Sequence, residues 1–245
     1  MPSKTAESKA PVMSRRDRVR VETTAEIKER ALAEMREHGL ESLSMREVSR
    51  QMGMSASALY RYFASRTDLL SALIVDGFDS LATALEAAYT KAQDLPSAVE
   101  VCLAVGHAHR AWALENPTAY KLIYASSLPD YQGTPETTAA AGRAVGVLMR
   151  VMVDLVDQDL IDLPRIEAET SADLTAQLSE WDDAGAEQVP LAARAAAMRW
   201  WATLHGLIHL EMNEQFPPSL MHSAALFESV LRAATTGLGR PAQAS

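Results

Sequence analysis

Between Glu22 and Phe78 the chain carries helix signals broken by stops so closely spaced that only short, sharply crossing helices fit. Ile27, Ala31 and Met35, with Leu32 one turn offset, recur at helical spacing, and His38-Gly39 supplies a stop. Ser44-Met45-Arg46-Glu47 reads as a capping box: the Ser44 hydroxyl can accept from the Glu47 amide, and Glu47 can reach back. The helix it opens turns Met45, Val48 and Met52 inward and ends at Gly53. Ser55 then caps a third helix predicted over 56–63. Ser65-Arg66-Thr67-Asp68 starts another, which runs through Leu69, Leu70, Leu73, Ile74 and Phe78. A turn as tight as Gly53-Met54-Ser55 between two helices is helix-turn-helix geometry.

The rest of the chain also reads as helix. Aromatic residues make up 6% of the 245, and Ala, Leu, Met, Glu and Arg outweigh β-branched residues, which excludes an all-β fold. Helices are predicted from Pro96 to about Glu115, from Pro117 to about Ser126, and from Pro135 to about Asp157. Two more run from Pro190 to about Gln215 and from beyond Pro217-Pro218-Ser219 to near Gly237. Leu128 to Gly133 reads as a loop. The acidic stretch 158–189 reads as a solvated loop holding at most a short helix from Ser171 to Trp181.

Charge is uneven. Residues 1–70 hold 13 Lys and Arg against 10 Asp and Glu, while the remaining residues hold 10 against 22. A basic front on an acidic body points to a nucleic-acid partner at that end. Three spans follow: a basic disordered arm over 1–20, a helix-turn-helix domain over 21–75, and a helical body over 76–240. Cys102 is the single cysteine, which excludes an intramolecular disulfide and a cysteine zinc cluster and suits a reducing cytoplasm. No apolar run approaches 18 residues, and the N-terminus lacks a secretory apolar core, so neither a membrane span nor a signal is expected.

The third helix carries the functional argument. Leu59 and Phe63 pin it inward, and its outward start is Ser55, Ala56, Ser57 and Ala58. Such small residues let a helix backbone press into a DNA major groove about 12 Å wide. Tyr60, Arg61 and Tyr62 supply donors at its shoulder. Ser44, Met45 and Arg46 on one side, and Ser65 and Arg66 at the next helix start, are placed to meet phosphates.

This stretch resembles the DNA-binding domain of the TetR (tetracycline-repressor-like) family of bacterial transcriptional regulators. The resemblance rests on Ile27, Ala31, Leu32, Gly39, Leu43, Val48, Gly53, Ser55, Leu59-Tyr60, Tyr62-Phe63, Ser65 and Leu69-Leu70, in order and without gaps. Ser49 stands where the family usually has Ala, Arg66 where Lys is usual, and Ser57-Ala58 where Gly-Thr is common. Trp201-Ala-Thr-Leu-His205-Gly206 is similar to the Trp…His-Gly signature of one C-terminal subfamily. The resemblance implies an all-α chain, with a three-helix DNA-binding domain and a C-terminal bundle that dimerises. It implies double-stranded DNA bearing a pseudo-palindromic operator as partner, and repression relieved by a small effector.

The helix from Pro190 is apolar nearly all round, so a partner is expected to cover one face. Ala195, Met198, Ala202, His209, Leu220, Ala224, Phe227 and Leu231 are the expected homodimer contacts, forming a four-helix bundle about a two-fold axis. Trp112, Tyr120, Tyr124, Met149, Met152, Trp201 and His205 are the expected lining of a largely apolar effector pocket. His205 and His209 stand four apart but lack the His-Glu-x-x-His pattern, so packing is expected rather than a metal site, and no cofactor is expected. Catalysis finds no nucleophile–base pair, phosphate loop or metal cluster. The competing reading is a helical adaptor or enzyme that reuses the helix-turn-helix structurally.

Overall fold

The computed structural model describes residues 14–124, 131–181 and 189–239. The expected arm lies outside these up to residue 13, as does the first half of the expected 128–133 loop. Among the described residues there are eleven α-helices and no strand. None of these helices is long and apolar enough to cross a membrane. The chain divides into two units, Met1–Leu70 and Ser71–Ser245.

The first unit contains α1 (Arg15–His38), α2 (Met45–Gln51), α3 (Ala56–Leu59) and the first turn of α4 (Arg66–Ala92). Its core is Ile27, Ala31, Met35, Leu43, Met45, Val48, Leu59, Phe63, Leu69 and Leu70. Removing a large side chain from such a core costs about 2–5 kcal/mol. Gly39 and Gly53 stop α1 and α2 in left-handed backbone (φ 92° and 63°), which glycine adopts without strain.

Two boundaries differ from the sequence reading. Helix α1 begins at Arg15, so residues 15–20 are helical rather than part of a disordered arm. The Ser14 Oγ accepts from the Asp17 amide at 3.2 Å and caps it. Nothing before Ile27 on α1 is buried, which is why apolar periodicity does not reveal this turn. Helix α3 is also shorter than expected. Regular helix ends at Leu59 and tight turns carry the chain through Tyr62, with the Tyr62 amide on the Leu59 carbonyl at 2.9 Å.

The second unit holds the remainder of α4 with α5 (Ala98–Glu115), α6 (Pro117–Ile123), α7 (Pro135–Asp157), α8 (Leu163–Glu169), α9 (Ala172–Ser179), α10 (Leu191–Met212) and α11 (Ala224–Thr236). Helix α10 is its axis and packs on α5, α7, α8, α9 and α11. Ala193, Ala195, Ala196 and Ala197 are buried there, so neighbouring backbones approach closely. On α5, Gly106 serves the same end: a Cβ at this position would collide with the buried Leu231 Cδ2. Arg110 makes a two-pronged ion pair with Glu211 (2.7 and 2.5 Å), and Glu211 is buried. Burial alone would raise the Glu211 pKa, but the guanidinium overcomes this and holds it below the usual carboxylate range.

The acidic stretch 158–189 is not a solvated loop over its described part. Asp162 caps α8, and Ile161, Ile166 and Leu178 are buried. The buried Arg194 guanidinium donates to the carbonyls of Leu178, Trp181 and Val189, at 2.9, 2.9 and 3.0 Å, and ties α9 to the start of α10. Most of its acidic side chains are exposed while Ile161, Ile166 and Leu178 are buried, so average composition hides the helix. Cys102 is buried, and burial pushes its thiol up to about 12, which leaves it protonated and unreactive.

Candidate nucleic-acid interface and interior cavity

In the first unit, Ser44 Oγ accepts from the Glu47 amide at 3.4 Å and opens α2. The reciprocal half of the box is absent. The Glu47 carboxylate instead pairs with Arg50 and accepts from Gln51 at 3.1 Å. Ser55 Oγ caps α3 through the Ala58 amide (3.2 Å), and Ser65 Oγ caps α4 through the Asp68 amide (3.0 Å).

These caps hold α3 with Leu59 buried and Ser55, Ala56 and Ser57 exposed, as the pattern predicts. Tyr60 is 49% exposed, and Arg46 and Arg61 are exposed. Ala58, Tyr62, Ser44, Ser65 and Arg66 are partly covered. Met45 is a correction: it is 6% exposed and packed in the core, so it supports α2 and cannot touch DNA. Arg66 is partly committed too, since its Nε donates to the Leu43 carbonyl at 2.9 Å.

The helical start of α1 adds residues that the expected site did not include. Arg15, Arg16, Val19 and Arg20 line an open hollow with Arg61 and Tyr62. The Arg20 guanidinium lies 5.2 Å from the Tyr62 ring centroid and donates to the Arg61 carbonyl at 3.4 Å. Four guanidiniums around one hollow form an anion-attracting surface beside α3. The run of arginines signals the charge, but only folding onto α1 sets it beside Arg61.

In the second unit a cavity of about 250 Å³ lies among α4, α5, α7, α10 and Tyr124, the residue that follows α6. Its lining includes Phe78, Leu85, Val105, His109, Tyr124, Ala144, Leu148, Met198, Trp200, Trp201 and Leu204. Of the seven expected residues, Tyr124 and Trp201 line it. His205 stands just behind, with ring centroids 4.4 Å from Tyr124 and 4.2 Å from Trp201. Tyr120 Oη meets His205 Nδ1 at 3.0 Å. Trp112, Met149 and Met152 are corrections, being buried in the core away from the lining. Trp112 Nε1 donates to Ser80 Oγ at 3.0 Å, and the two methionines fill the inner face of α7. The small lining residues Ala141, Ala144 and Val145 carry no sequence signal, since their part is to leave space.

Burial holds the His109 imidazole down at about 3, with His205 beside it adding to the effect, and holds His205 at about 4. Both rings are therefore neutral near pH 7. The phenols of Tyr120 and Tyr124 are pushed above their usual range by the same burial. His209, the other half of the i, i+4 pair, is exposed while His205 turns inward.

The expected dimer contacts separate into three groups. Ala195, Phe227 and Leu231 are corrections: each is buried within the protomer, Phe227 under the Arg110 guanidinium, so none can form an external contact. Ala202, His209, Leu220 and Ala224 are exposed. Leu220 belongs to a 3-10 turn over Pro218–Leu220 rather than to α11. Met198 is half-buried and lines the cavity.

Comparison with known proteins accords with this architecture. Residues 27–73 match the family described as bacterial regulatory proteins, tetR family. Residues 102–234 match the tetracyclin repressor-like C-terminal domain. The HTH-type transcriptional regulators Rv1816 of Mycobacterium tuberculosis and Mb1846 of Mycobacterium bovis are each 37% identical over 139 residues. That match takes in 55% of this chain and 57% of theirs, so little more than half the length of these relatives is spanned. A crystal structure described as that of a regulatory protein, SCO4313, aligns over 90% of this chain and 98% of its own, with 31% identity and a TM-score of 0.73. A tetR family transcription regulator from Shewanella sp. PV-4 shares the fold at 14% identity, with a TM-score of 0.61 and coverage of 89% and 98%. The chain belongs to the TetR family of bacterial regulatory proteins.

Proposed function

We propose that this chain is a sequence-specific DNA-binding transcriptional regulator, a cytoplasmic homodimer that represses its target and is released by a small, largely apolar ligand. The observation that carries the reading is α3 itself. Its Ala56 and Ser57 face solvent, Leu59 anchors it, and Tyr60 and Arg61 stand exposed beside it. A low, small-residue face flanked by donors suits a major groove and has no evident use in holding the domain together. Arg15, Arg16 and Arg20 add phosphate contacts beside those of Arg46, Arg61, Ser65 and Arg66.

In this reading residues 21–75 are the DNA-binding head and 76–240 the effector-binding and dimerisation body. Exposed Ala202, Gly206 and Leu210 on α10, with Ala224, Ala225 and Ala233 on α11, support pairing of two copies through these helices. Two dyad-related copies of α3 would then read half-sites about 34–36 Å apart. The cavity supports the ligand, which acts by binding one conformer of the dimer better than another.

The test is a salt titration of binding to DNA from upstream of the protein's own gene. Log affinity is expected to fall with log salt at about −0.9 per phosphate neutralised. The Tyr60→Ala, Arg61→Ala double variant should lose binding while keeping its fold. A flat salt response, or full binding by the double variant, refutes the reading.

A further inference from the structure

The cavity wall is almost wholly apolar, its polar groups being those of His109, Tyr124 and the two tryptophans; among these the His109 imidazole is buried, and its Nε2 has no hydrogen-bond partner among the described residues. His205, its ring centroid 4.9 Å from that of His109, gives its Nδ1 to Tyr120, and its own Nε2 is likewise buried and unpartnered. Folded proteins leave few buried polar atoms unsatisfied, and one on a ring that lines a cavity calls for a reason.

The lining chemistry restricts what can answer it. No Lys, Arg, Asp or Glu lines the cavity, so an ionised ligand would lose its hydration and gain no counter-charge. A neutral imidazole nitrogen pairs with a hydroxyl whichever of the two donates. Size narrows the choice. A cavity of about 150 Å³ accommodates benzene, so 250 Å³ scales to about ten non-hydrogen atoms. Phe78, Tyr124, Trp200 and Trp201 present ring faces and edges on the wall, which suits a flat ligand.

We infer that this cavity takes an uncharged phenol or aromatic alcohol of about ten non-hydrogen atoms. Its ring packs against Phe78, Leu148 and Trp201, and its hydroxyl is hydrogen-bonded to the His109 imidazole. This rests on the proposal that the cavity is the effector site, and it specifies the ligand class for that site.

The experiment measures affinities by calorimetry on the full chain without DNA, so it is separate from any failure of operator binding. Three probes are compared: 4-ethylphenol, 4-ethyltoluene (methyl in place of hydroxyl) and the 4-ethylbenzoate anion. The wild-type protein should bind the phenol about tenfold more tightly than either of the others. His109→Phe keeps a ring of similar size and removes the nitrogen, and it should reverse the order in favour of 4-ethyltoluene. His205→Phe, whose ring stands behind the lining, should retain the preference for the phenol. A wild-type preference for 4-ethyltoluene or for the carboxylate overturns the inference, as does failure of all three to bind. The probe series decides on the wild-type protein alone if His109→Phe does not fold.

Discussion

Helices α3 and α10 are both rich in alanine, yet the residue serves opposite ends in them. On α3, Ala56 faces water and Leu59 alone of its four residues is buried. On α10, Ala193 and Ala195 to Ala197 are buried among neighbouring helices. Outside, a missing side chain keeps a surface low so that something large can come close. Inside, it lets five packed elements share one axis. Composition is blind to this distinction, and the surroundings of each helix decide it.

The comparison can be broken most severely inside the second unit. Glu211→Leu leaves the mostly covered Arg110 guanidinium without its partner and should cost about 3 kcal/mol of stability, read by chemical denaturation. A loss below 1 kcal/mol would mean that the ion pair is not part of what holds α5 to α10.

Next comes a matched pair of substitutions. Ala196→Leu overfills the core and should cost about 1–3 kcal/mol, whereas Ala56→Leu should alter stability by no more than about 0.5 kcal/mol. Ala56→Leu should nonetheless weaken operator binding at least about tenfold, measured by fluorescence anisotropy. Equal stability losses would erase the contrast.

Acid acts on the body through its buried histidines. With folded-state values of about 3 for His109 and about 4 for His205 against an ordinary 6.5, the unfolded chain binds protons between those limits that the folded chain does not. Stability therefore rises with pH from about 4 to 6.5 and is lost as pH falls through that window. Each histidine contributes up to about 1.4 kcal/mol per pH unit. His109→Phe should flatten the slope, and an unchanged slope would show that His109 is not buried neutral.

The smallest effect is on charge. Arg20→Ala should leave folding unaltered, lower DNA affinity for all sequences alike, and reduce the salt slope by about one. An unaltered slope would remove the α1 start from the interface.

The sequence was most legible where structure is decided locally. Ser44, Gly53, Ser55 and Ser65 each act within three or four residues of themselves, so the turn between α2 and α3 and the outward face of α3 could be read directly. The start of α1 leaves no apolar trace because Arg15 to Arg20 bury nothing, and α8 leaves none because one buried isoleucine, Ile166, does not make a pattern. The cavity was half legible. Tyr124 and Trp201 are conspicuous residues, but which of the many apolar side chains border a void depends on how α5, α7 and α10 meet. His109 looks from sequence like any histidine on an apolar helix. Its unpartnered nitrogen is a property of the assembled core.

Trp200 and Trp201 adjoin each other on α10, and both border the cavity. One indole N–H is tied down, to Thr235 Oγ1 at 3.0 Å, while the other ring is 37% exposed. The molecule thus carries two optical reporters in unlike surroundings beside a single chamber. Anything apolar that enters should blue-shift or quench the exposed indole more than its tethered neighbour, and the emission spectrum would then register occupancy without any added label.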